Sequence, residues 1–158
     1  MKKASIILAA ICLAASIVSF VIVGNAASES KGAKLTEKLI SACEAHKQQK
    51  IKDCFIENIS QYMTMDSCVT TSDFLDKCGI NLYADGLDKV YVVGSSKLKS
   101  DEQNKDVSSY LYTAGNMVSV VYVGADYTDE LGEEQTSVVA YYVIFNDQTN
   151  KIITIFRA

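Results

Sequence analysis

The sequence predicts an α+β domain: two or three N-terminal helices packed on a curved antiparallel sheet of four to five strands. Three observations predict it. Apolar residues recur at helical spacing from Leu35 to Cys78. After Gly79 the period changes from about 3.6 residues to about 2. The alternating runs that follow are joined by short polar turns, so they form a meander rather than parallel strands linked by helices.

The chain opens with Lys2 and Lys3, and no charged residue follows from Ala4 to Val23. Small residues collect at Gly24-Asn25-Ala26-Ala27. A positive start, an apolar stretch and a small-x-small stop read as a secretory signal peptide, cut after Ala26 with Ala27 as the alternative site. The apolar run is also long enough to cross a bilayer, so an uncleaved anchor competes with cleavage. Either outcome leaves residues 28–158 outside the cytoplasm, periplasmic or secreted if the leader is cut and inner-membrane anchored if it is kept. Cys12 follows Ile11, where a lipid-modification site wants a small residue, so it is not read as a lipid anchor.

Residues 27–34 are a small polar linker, and residues 35–158 are one domain. Leu35, Leu39, Ile40 and Cys43 mark one face of a first helix. The polar stretch Glu44–Lys50 breaks it. Ile51, Cys54, Phe55, Ile59, Tyr62 and Met63 resume the helical spacing, with a short strand expected around Tyr62–Met65. Thr70-x-x-Asp73 is a capping signal for a third helix, whose apolar side is Phe74, Leu75 and Cys78, and Gly79 ends it. Strands are expected at Lys89–Gly94, Ser109–Thr113, Met117–Gly124, Thr136–Phe145 and Lys151–Phe156. Ser96–Asp106 is expected to be a polar loop. Ala114-Gly115-Asn116 and Asn146–Asn150 serve as hairpin turns.

The layout resembles the NTF2-like, or cystatin-like cone, superfamily. The residues that carry the likeness are Leu39-Ile40-x-x-Cys43, Ile51-x-x-Cys54-Phe55, and the closing hairpin Val138–Phe145, Asn146–Asn150, Lys151–Arg157. The resemblance implies helices cradled by a curved sheet whose mouth serves some relatives as an enzyme pocket and others as a binding or assembly surface. It carries no catalytic residue over to this chain, because no position matches a catalytic motif, and fold alone does not choose between these functions.

Charge narrows the partners. The chain carries a formal charge of −4, and without Lys2 and Lys3 it is −6. An acidic domain repels phosphate backbones, so nucleic acid is not expected, and membrane contact is expected only through an uncleaved N-terminal helix. Four cysteines remain outside the leader: Cys43, Cys54, Cys68 and Cys78. An even number in an exported domain reads as two disulfides. Three pairings exist. A turn near Gln48 would bring Cys43 to Cys54, which favours that bridge together with Cys68–Cys78. Without a C-x-x-C pair, zinc is not expected, and no cofactor is implied.

The remaining chemistry-bearing residues read mostly as solvated. His46 sits in the polar break among lysines and glutamines. Asp126, Asp129, Glu130, Glu133 and Glu134 crowd one loop without calcium-loop spacing. Asn58-Ile59-Ser60 is a glycosylation sequon, expected to stay unmodified behind a leader of bacterial type. No catalytic residue is assigned. Seven of the nine tyrosines fall in the strand-rich half. Tyr110, Tyr112, Tyr122, Tyr141 and Tyr142 mark a candidate binding face, since tyrosine is enriched at binding surfaces as well as in strands. Tyr141 and Tyr142 are adjacent and must point to opposite sides of the sheet. The expected function is a non-catalytic module that contacts a protein or small ligand through its sheet face. A pocket enzyme of isomerase, dehydratase or hydrolase type is the first alternative, and an anchored subunit of a cell-envelope complex is the second.

Overall fold

The structure is a computed structural model and describes residues 30–82, 86–98 and 105–158. The leader expected at residues 1–26 lies outside the described residues. The order of elements is α1 (Lys31–Glu44), α2 (Gln48–Lys52), α3 (Glu57–Ser60), α4 (Thr71–Lys77), β1 (Leu87–Ser96), α5 (Lys105–Leu111), β2 (Asn116–Thr128), β3 (Glu134–Asn146) and β4 (Lys151–Arg157). The four strands form one antiparallel sheet in the order β1-β2-β3-β4. Helices on an antiparallel sheet give the α+β class expected from the sequence.

The apolar period of α1 turns Leu35, Leu39, Ile40, Ala42 and Cys43 toward the sheet. They meet the residues of one sheet face: Val121, Val123 and Ala125 from β2, then Tyr141, Val143 and Phe145 from β3. Ile152 and Ile155 of β4 and Val90 of β1 extend this core to both sides. Ser30 caps α1 by accepting a hydrogen bond from the Ala33 amide. The one polar side chain of α1 inside the core is Thr36, whose hydroxyl donates to the Gly32 carbonyl at 2.8 Å and so enters the core satisfied.

The second helix departs from expectation. The run from Ile51 to Met63 splits into α2 and α3, and no strand forms at Tyr62–Met65. The chain between α2 and α3 is drawn to the sheet instead. Phe55 bridges Ile152 in parallel, the Ile56 amide donates to the Ile152 carbonyl at 2.9 Å, and the Ile152 amide donates to the Cys54 carbonyl at 2.8 Å. This segment covers the outer edge of β4 and supplies partners for backbone groups that an edge strand leaves open. A tertiary hydrogen bond thus overrides a local helical pattern.

The third helix follows its sequence signals. Thr70 and Asp73 form a reciprocal capping box at the start of α4. At its end the Ile80 amide donates to the Leu75 carbonyl and the Gly79 amide to the Asp76 carbonyl, a Schellman closure with Gly79 at φ +89°. The segment expected to be a strand at Ser109–Thr113 is instead the end of α5 and the turn after it. Val107, Tyr110 and Leu111 are spaced for a helix.

Candidate functional site

The opposite face of the sheet is built by the other parity of each strand. The register places Tyr91 of β1 opposite Gly124, Tyr122 of β2 opposite Ala140, and Tyr142 of β3 between Val120 and Phe156 of β4. Helix α5 packs over part of this face and seals Val107, Val120 and Ile144. The rings of Tyr142 and Phe156 lie 5.5 Å apart and those of Tyr110 and Phe156 lie 6.5 Å apart, so α5 is fixed through aromatic contacts.

Beside α5 the face is half open. Tyr91, Tyr122 and Tyr142 are each half-buried, and Val138 retains 38% of its surface. Gly124 explains how Tyr91 lies: a Cβ there would come within 2.6 Å of the Tyr91 ring, so the missing side chain lets the phenol rest flat on the β2 backbone. The Tyr91 hydroxyl donates to Asp126 at 3.1 Å, and Thr136 donates to the same carboxylate oxygen at 2.8 Å. Lys89 sits over the Tyr91 ring with its ammonium 5.4 Å from the centroid. Partial burial, then the hydrogen bond and charge of Asp126, hold the Tyr91 phenol above its usual range, so it stays a protonated donor. Tyr122 and Ser96 bring their hydroxyls to 3.4 Å on the same face. The result is a shallow aromatic surface with fixed polar groups at its margin.

Of the five tyrosines expected to mark a binding face, the structure brings Tyr122, Tyr142 and Tyr110 to this side. Tyr141 is on the other side, 1% exposed in the main core, where its hydroxyl donates to the Asn81 carbonyl. Tyr112 follows α5 and is 90% exposed. Tyr91 was not singled out from the sequence. The signal that could have found it is Gly124, a small residue on the strand paired with it.

The other candidates resolve differently. His46 is exposed at φ +50°, stacks on Phe74 at 5.1 Å and reaches the Thr71 hydroxyl at 3.3 Å, which makes it a helix-end residue with local partners. In the acidic loop, Asp129 accepts from the Leu131 and Glu133 amides, both at 2.9 Å, and from Gln135, so its carboxylate organises the turn. Among the described residues no group of three or more His, Cys, Asp or Glu is placed to hold a metal ion. A cleft of about 470 Å³ lies between α4 and the following segment, lined in part by Thr70, Asp76, Asn81 and Leu87. Burial first and the charge of Asp73 second push the Asp76 carboxyl up within it.

The cysteines correct the expected pairing. All four are free thiols, so no bridge joins Cys43 to Cys54 or Cys68 to Cys78. The helix after the turn near Gln48, α2, is only five residues long and ends before Cys54. The Cys54 thiol donates to the Lys50 carbonyl at 3.3 Å and the Cys68 thiol to the Asp73 carbonyl at 3.6 Å.

Comparison of the chain with protein-family models, with curated proteins and with solved structures finds no match.

Proposed function

We propose that this chain is a non-catalytic extracytoplasmic binding or assembly module that contacts a protein or small ligand through the outer face of its sheet. The observation that carries the reading is the half-open surface of Tyr91, Tyr122, Tyr142 and Val138 beside α5. Rigid aromatic side chains seated on strands lose little conformational freedom when covered, and their hydroxyls supply directional contacts. The NTF2-like resemblance agrees with such a role, since many domains of that kind are non-catalytic and serve as binding or assembly domains. Export after cleavage at Ala26 places the module in the periplasm or outside the cell.

A photo-crosslinking residue at Val138 tests this, with the same residue at exposed Glu37 on the helical side as the comparison. Discrete adducts from Val138 and none from Glu37, in cells exporting the protein, are expected. Equal labelling from both positions, or none from Val138, removes the reading. Asp76 favours a second reading, a pocket enzyme using a carboxyl whose pKa is raised by burial in the cleft beside α4. Turnover lost in Asp76→Asn, with Val138→Arg active, would select it.

A further inference from the structure

The charge of this chain is unevenly spread. Residues 31–52 hold six lysines against Glu37 and Glu44, a net of +4. Residues 53–158 hold six lysines and Arg157 against sixteen aspartates and glutamates, a net of −9. The fold gathers the basic stretch on one side. Lys34, Lys38, Ser41 and Ala45 recur at spacings of four, three and four, and all are exposed on the side of α1 turned away from the sheet. At the end of α1, His46 takes the left-handed conformation. Its amide donates to the Cys43 carbonyl at 3.0 Å and the Lys47 amide donates to the Ala42 carbonyl at 3.1 Å. This closure brings α2 against α1. Between them lies an open groove of about 620 Å³, walled by Lys38, Ser41 and Ala45 on one side and by Lys47, Lys50 and Asp53 on the other.

Lys31 pairs with Asp147 at 2.7 Å, but among the described residues Lys38, Lys47 and Lys50 join no ion pair. The one acid in the groove, Asp53, has its carboxylate engaged by the Gln49 side-chain amide at 2.9 Å. Past Asp53 the basic surface continues with Lys52 and Lys151. We infer that this side of the molecule docks on an anionic phospholipid bilayer through Lys38, Lys47 and Lys50. Lysines are compact point charges on flexible stems, which suits an array of headgroup phosphates better than one ligand of fixed shape. A planar partner touches one side of the molecule only, and charges more than about 10 Å from it are screened, so the acidic remainder does not forbid the contact. Position agrees as well. The apolar run ends at Val23, eight residues before Lys31, a reach of at most about 29 Å. Any seating of that run in a bilayer sets the lysines near the headgroups. The outer side of α1 faces away from Tyr91, Tyr122 and Tyr142, so docking leaves the aromatic surface open, and the inference goes beyond the binding role without resting on it.

Lysine acetylation read by mass spectrometry tests this on the full chain, and it reads the patch whether the leader is cut or kept. Vesicles of phosphatidylglycerol and phosphatidylcholine are compared with vesicles of phosphatidylcholine alone. Labelling of Lys38, Lys47 and Lys50 should fall several-fold on the anionic vesicles and not on the neutral ones, while Lys89, over the Tyr91 ring, stays equally labelled on both. Raising salt to about 0.5 M should abolish the protection, because screening shortens the reach of each charge. In the Lys38→Glu, Lys50→Glu double variant, whose changes are both at exposed positions, Lys47 should regain full labelling on anionic vesicles. Equal labelling on the two vesicle types, protection of Lys89 to the same degree, or protection that survives high salt or the double variant overturns the inference. Protection by soluble polyglutamate with none from vesicles assigns the groove to an acidic protein and overturns it too.

Discussion

Replacing Gly79 by alanine tests the packing of α4 on the sheet at a single atom. Gly79 holds φ +89°, and a Cβ placed there would lie 2.2 Å from the Ile155 carbonyl oxygen of β4. The φ alone costs a non-glycine residue about 1–2 kcal/mol. The clash adds more, because the obstacle is backbone in a buried strand and not the end of a flexible side chain. Restoring even a 3.0 Å contact requires β4 and α4 to part by about 0.8 Å. Overpacking of that kind costs about 1–3 kcal/mol, for a total of about 3 kcal/mol. For a domain of this size about 4 °C accompanies each kcal/mol, so the thermal midpoint should fall by roughly 12 °C. Gly132→Ala is the control. Its φ is +77°, but nothing lies within 4 Å of the added carbon, so only the conformational cost remains and the midpoint should fall by about 4–8 °C. Both midpoints are read by circular dichroism. Equal shifts for the two variants would show that the close approach of Gly79 to Ile155 does not exist.

Tyr141→Phe should destabilise the domain by about 1 kcal/mol in urea unfolding, since it removes the phenol that donates to the Asn81 carbonyl while keeping the ring in the core. The Asp73 carboxylate accepts from the Thr70 and Val69 amides, and these bonds hold its pKa below the usual value. A depressed folded pKa means that its stabilising effect is present above the ordinary aspartate value and disappears as pH falls through the lower folded value. The midpoint of Asp73→Asn should therefore converge on that of the wild type at low pH, and a constant gap across the titration would contradict the capping role.

Much of the fold was legible along the chain. Leu39, Ile40 and Cys43 marked the buried face of α1, Thr70 and Asp73 the start of α4, Gly79 its end, and Asn146–Asn150 the final hairpin. These signals are local, carried by residues within a turn or two of one another. Ile51–Met63 and Ser109–Thr113 misled for the opposite reason. The first has helical spacing, but Phe55 and Ile56 find better partners on β4, which is distant in sequence. The second is a short run in which helix and strand periods cannot be told apart. The candidate site was half legible: a wealth of tyrosine was visible, but not that Tyr91 would lie on Gly124 or that Tyr141 would turn into the core.

By itself the sequence determined the α+β class, the helix that opens the domain, the capped helix before Gly79 and the alternation of the strands. Those follow from periodicity, capping and turn chemistry, which act over a few residues. Only the tertiary structure decided which tyrosines share a face and that the chain after Cys54 closes the edge of β4. Each of those depends on where two segments meet after the apolar surfaces have been buried together, and no short stretch of chain contains both partners.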